Sequence, residues 1–181
     1  MLWRLMVLVV LATGLAGCAS APMAPPAPAP AADPRAVDVA YARAMIPHPE
    51  QALELSALVR GRTASPDVAD LAFRIDRDQV EEVGQLQGLL RGWGQDPTGS
   101  MGPGMAGMAD APTLERLRAS SGPAFDRLWL ETMTAHHRGA LDMAREHLAA
   151  AGDGSALREF SRTLLVSQQA EIDRMTRLLA A

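Results

Sequence analysis

The sequence has no lysine, a single cysteine, one tyrosine, three phenylalanines and three tryptophans. Each shortage excludes something. Positive charge rests on 17 arginines against 21 acidic residues, a net charge of −4 with no basic block, which argues against nucleic acid as a partner. One cysteine, at position 18, permits no disulfide framework and leaves no thiolate in the rest of the chain to serve as nucleophile or metal ligand. No Ser/His/Asp arrangement or phosphate-binding loop is present. Glu-x-x-His, the element that di-iron bundles place on two helices, is also missing, which argues against an oxygen-activating enzyme. The 181 residues suffice for one domain with a sizeable core.

The N-terminus reads as an address and a tether. "MLWRLMVLVVLATGLAGC" has an early Arg4, an apolar run and small residues, a secretory pattern. Leu15-Ala16-Gly17-Cys18 resembles a bacterial lipoprotein signal-peptidase site. That resemblance implies a signal peptide over 1–17 and a lipid on Cys18; a plain cleaved signal or an uncleaved anchor are the alternatives. "APMAPPAPAPAADP" favours extended polyproline geometry, so 18–34 is a spacer between a membrane surface and a domain over 35–181.

After Arg35 no stretch alternates as a strand would, and the expected fold is all-α. Breaks at "GRTASPD", "GWGQDPTGSMGPGMAGMADAP", "SSGP" and "AGDGS" predict helices near 35–60, 66–92, 122–151 and 155–180, with a short one near 112–120. Ser65-Pro66 reads as an N-cap followed by proline at the first helical position, and Ser155 as the cap of the last helix. Two apolar stripes repeat. Val37, Tyr41, Met45, His48, Ala52, Leu55 and Val59 match Phe125, Trp129, Met133, His136, Ala140, Met143 and His147 at an offset of 88, as from 37 to 125. Leu71, Ile75, Gln79, Glu82, Leu86 and Leu90 match Phe160, Leu164, Gln168, Glu171, Met175 and Leu179 at an offset of 89, as from 71 to 160. Their spacing is one face of a helix. The expected architecture is a four-helix bundle of two duplicated helical hairpins, repeats 35–92 and 122–180, joined by a Met/Gly-rich crossover over 93–121.

Each core stripe is polar at its centre. His48 and His136 lie on the first and third helices, and Gln79, Glu82, Gln168 and Glu171 on the second and fourth. A buried polar group needs a partner, so these residues are expected to meet in one layer. "TMTAHHRGALDMAREH" puts Met133, His136, His137, Met143 and His147 within about 120° on a helical wheel. Imidazole with thioether suits copper, sulfur favouring Cu(I). The crossover adds Met101, Met105 and Met108. Candidate ligands are therefore His136, His137 and Met143, helped by Met133, His147, His48, Met45 and the three crossover methionines. Glu82 and Glu171, with Gln79 and Gln168, would orient the histidines from behind. The competing reading is a bundle core whose methionines are filler, whose His/Glu/Gln layer only fixes register, and whose His147 answers a helix dipole. The protein would then be a structural or partner-binding module of the cell envelope.

"MIPHPEQALELS" and "MTAHHRGALDMA", followed by "QVEEV" and "QQAEI", resemble the Met-x-x-His-His…Ala-x-x-Met-Ala…Gln-x-x-Glu-Ile pattern of the domain-of-unknown-function 305 family, over about residues 36 to 180. The resemblance implies a ferritin-like four-helix bundle, extracytoplasmic and often lipid-anchored, with some members linked to copper and no established enzymatic activity. Carried over, Met133, His136, His137 and Met143 match the second motif, and Met45 and His48 the first. Pro49 stands where the first motif usually has its second histidine, and Leu55 where it has methionine, so the first half is depleted in ligands.

Overall fold

The computed structural model describes residues 35–100 and 105–181. The expectations for the signal peptide, Cys18, the Ala/Pro spacer and Met101 lie outside those residues. The described residues fall in one compact unit. They are all-α, with no strand among them: α1 Ala36–Met45, α2 Pro47–Ala57, α3 Pro66–Gly92, α4 Ala111–Ala119, α5 Gly122–Ala150 and α6 Arg158–Ala180. Helix α2 packs on α3 and α5 on α6, while α1 and α2 both lie against α5. None of these helices is long and apolar enough to cross a membrane.

The single helix expected over 35–60 is two segments, α1 and α2, meeting at Ile46. The cause is Pro47. Proline has no N–H and cannot bond the carbonyl four residues back, that of Arg43. The backbone N–H of Ser100 donates to that carbonyl instead, at 2.9 Å. The break therefore docks the start of the crossover. Gly99 presses on the same joint, and a Cβ there would lie 2.8 Å from both Ile46 and Pro47.

The N-caps follow local chemistry. The Val68 N–H donates to Ser65 Oγ at 3.3 Å, with Pro66 next, as the sequence predicts. Asp110 caps α4 through the Thr113 N–H at 2.9 Å. Ser155 differs from expectation. Helix α6 begins only at Arg158, and the Ser155 hydroxyl accepts from the Leu157 N–H while donating to Asp38.

The apolar stripes are the core. Phe125, Trp129, Leu55, Ile75, Leu86 and Leu90 are fully buried, each worth about 1.5–3 kcal/mol of transfer free energy. Trp129 also donates its indole N–H to the Leu55 carbonyl at 2.9 Å, satisfying an acceptor in the last turn of α2. Val37 departs from its stripe and is 39 % exposed.

One polar knot ties α1 to the α5–α6 turn. Asp38, 2 % exposed, accepts from Ser155 Oγ at 2.7 Å and the Ala156 N–H at 2.9 Å, and pairs with His147 Nε2 at 3.0 Å. Burial alone would raise the Asp38 carboxyl, but the hydrogen bonds from Ser155, His147 and Ala156 outweigh it and hold it below its ordinary 3.8. A carboxylate depressed on folding adds stability above its unfolded value and loses it as pH falls towards the folded one. Asp38→Asn should therefore cost about 2 kcal/mol at pH 7, and the deficit should shrink below about pH 4. Urea unfolding at the two pH values checks this; an equal deficit at both would contradict it.

Candidate metal centre

Three histidines meet between α2 and α5. The His48 and His136 rings have centroids 4.7 Å apart and are tilted by 59°. The neighbouring His137 ring is 6.0 Å from that of His136. None of the three is more than 1 % exposed. Apart from backbone contacts of His48 with Ala106 and of His136 with the His48 backbone, both ring nitrogens of His48, both of His136 and Nδ1 of His137 are buried with no side-chain hydrogen-bond partner. Buried imidazole nitrogens are ordinarily paired, so five such atoms in one place demand an explanation.

The electrostatics keep His48 and His136 uncharged. Burial, then the neighbouring His137, lowers the His48 imidazole to about 4. Burial, then His48 and His137, holds His136 well below its ordinary value. Neutral imidazole is the form that offers a lone pair to a metal.

The surrounding layer is partly as expected. His137 Nε2 pairs with Glu171 Oε2 at 2.7 Å, a contact that fixes the ring's orientation and leaves Nδ1 the free nitrogen. Glu82 does not reach a histidine. It accepts from Gln168 Nε2 at 3.3 Å and 3.4 Å, and burial pushes its carboxyl up to about 8. Gln79 is 1 % exposed, and its amide nitrogen has no partner.

The methionines divide. Met45 and Met133 are fully buried; Met133 precedes His136 by three residues on one face of α5, while Met45 ends α1, three residues before His48 in α2. Met143 is half-buried and stands about 10 Å further along α5 than His136. It belongs to the other end of the bundle. Met105 and Met108 are half-buried in the crossover.

His147 is not part of the cluster. It lies about 16 Å from His136 along the helix, and both its nitrogens are engaged. Nδ1 meets Ser161 Oγ at 2.8 Å, Nε2 meets Asp38, and its ring stacks on Tyr41 at 4.1 Å. The structure places it apart from the other three histidines, engaged with Asp38 and Ser161.

The donors fit a soft monovalent ion better than a hard one. Among the described residues, no three His, Cys, Asp or Glu side chains converge as a metal-holding group. Nitrogen donors alone therefore do not complete a site. Thioether donors, if brought to the imidazoles, would complete a mixture that suits Cu(I).

The family model described as domain of unknown function (DUF305) matches residues 38–179. The chain belongs to the DUF305 family. A DUF305 protein of Streptomyces coelicolor, described as a candidate secreted protein, is 33 % identical, with 80 % of this chain and 92 % of that one covered and a TM-score of 0.72. A DUF305 fragment from Deinococcus radiodurans is 30 % identical, covering 80 % and 96 %, with a TM-score of 0.73. CopM in its Cu(I)-bound form shares the fold at 23 % identity and a TM-score of 0.66, over 78 % of this chain and 94 % of that one. No curated protein matches.

Two signals in this DUF305 sequence escaped notice. Gln51 grips the crossover: its amide donates to the Ala109 carbonyl at 2.9 Å and accepts from the Ala109 N–H at 2.7 Å. Gly139, one turn after His136, lets the crossover backbone touch α5. The two kinds of buried histidine give a direct contrast. His136→Leu, which removes buried ring nitrogens with no side-chain partner, should raise the stability of the metal-free protein by about 1–3 kcal/mol. His147→Leu, which strands Asp38 and Ser161, should lower it by a similar amount. Denaturant melts in chelator would show this; the same sign for both would refute the assignment.

Proposed function

We propose that this protein is an extracytoplasmic copper-binding lipoprotein, tethered through an acylated Cys18, that holds or buffers Cu(I) in the cell envelope. The observation that carries this reading is the set of five buried ring nitrogens on His48, His136 and His137 that have no side-chain partner. His48 and His136 would be the primary donors, with Met45 and Met133 from the preceding turns and Nδ1 of His137 adjoining. Glu171 would set the His137 tautomer. The copper- and silver-bound forms of CopM, which shares the fold, support the choice of ion.

The repeat is consistent with a ferritin-like bundle made from one hairpin duplicated. With Pro49 replacing the second histidine of the first motif, one asymmetric site drawing a histidine from each half fits better than two equal ones. A second reading, a register-fixing polar layer in an envelope module, is favoured by the His137–Glu171 and Gln168–Glu82 contacts. It gives no side-chain partner to the nitrogens of His48 and His136.

Anaerobic titration with Cu(I) against a competing chelator separates the two. The wild type should take one ion. His48→Ala with His136→Ala should weaken binding by more than about 100-fold, and Glu171→Gln by about 10-fold. A wild type that never competes with the chelator, or a double variant that binds equally well, would overturn the proposal. For the tether, Cys18→Ser should move the protein from the membrane to the soluble fraction; unchanged fractionation would dismiss acylation.

A further inference from the structure

The three histidines are at most 1 % exposed, so an ion cannot reach them unless something moves. Among the described residues, the crossover segment 105–109 lies over them without being part of a helix. It is one backbone layer thick: Ala106 is exposed on its outer side, while its backbone lies beside the His48 ring. Gly107, at φ +79°, sits over the His136 turn; a Cβ there would meet the Ala135 carbonyl and come within 3.0 Å of that of His136. Gly139 supplies the notch beneath. A Cβ at 139 would run into the Ala106 carbonyl and lie 3.0 Å from Gly107 Cα. The segment is held by the paired bonds from Gln51 to Ala109 and ends at the Asp110 cap of α4.

This cover differs from a helix in what holds it. A glycine-on-glycine contact buries little apolar surface, and elements with few buried apolar contacts open at the least cost. A surface cleft of about 400 Å³ runs along the segment, bordered by Met108, Glu131, Thr132 and Ala135. It leads from solvent to the residue preceding His136.

We infer that residues 105–109 are a latch over the His48/His136 pair, seated in the Gly139 notch and fastened by Gln51, whose release towards the Met108 cleft admits the ion. Gln51 and Gly139 are positioning residues that touch no ligand atom. The purpose of the latch rests on the proposed function, but its existence is testable without metal. Diethyl pyrocarbonate modifies accessible neutral imidazoles, and peptide mapping assigns the rate to each histidine. The full chain is labelled in chelator as wild type, Gln51→Ala and Gly139→Ala. His48 and His136 should react at least about fivefold faster in both variants. His147, buried in the distant Asp38 knot, should keep its wild-type rate and so report any global loosening. Unchanged rates at His48 and His136 would overturn the latch, and so would a parallel rise at His147. A wild type that binds no Cu(I) while the variants label as expected would defeat the proposed function and leave the latch standing. With Ag(I) as the probe, the variants should also bind several-fold faster; equal association rates would count against the latch as the entry route.

Discussion

Three buried imidazoles with five nitrogens lacking a side-chain partner form the constraint on which the remaining structure depends. Each unpaired group costs about 1–3 kcal/mol, and a domain's net stability is only about 5–15 kcal/mol. The rest of the bundle has to carry that cost. It does so with long apolar stripes on α3, α5 and α6 and with hydrogen bonds at the helix ends. Trp129 serves the last turn of α2, and Ser100 serves the carbonyl that Pro47 strands. A metal bound to the same nitrogens would return the cost as binding free energy, because loading stabilises only the folded form.

His147 shows what the cluster would look like if it were merely structural. Its burial is comparable, at 3 % exposed, yet both nitrogens are paired and its ring is stacked. The same helix therefore carries a satisfied histidine and two that are not fully satisfied, about three turns apart. The satisfied one anchors α1 through Asp38. The others face α2 across the bundle, where the crossover lies over them.

Much of this was legible in the sequence because it is periodic. The 88- and 89-residue offsets aligned the stripes, and Tyr41, Met45, His48, Phe125, Trp129, Met133 and His136 are all buried as their spacing requires. What spacing could not separate was position along an axis. His136, Met143 and His147 share one face of α5, but a wheel discards the rise of 1.5 Å per residue that sets them apart. Nor could it show that Asp38, 109 residues away in sequence, would take His147. The helix break at Ile46 was marked by Pro47 and Pro49, and the apolar stripe running through it concealed it. Gln51, Gly107 and Gly139 carry no periodic signal at all; their meaning is a backbone contact between distant segments.

The most direct test of the account is nitrogen-detected NMR of the histidine side chains, recorded on the protein labelled with nitrogen-15 before and after one equivalent of Ag(I). The account predicts large ring-nitrogen shifts for His48 and His136 and a smaller one for Nδ1 of His137, with His147 unmoved. Shifts at His147, or an unchanged spectrum for His48 and His136 in the presence of bound silver, would contradict it.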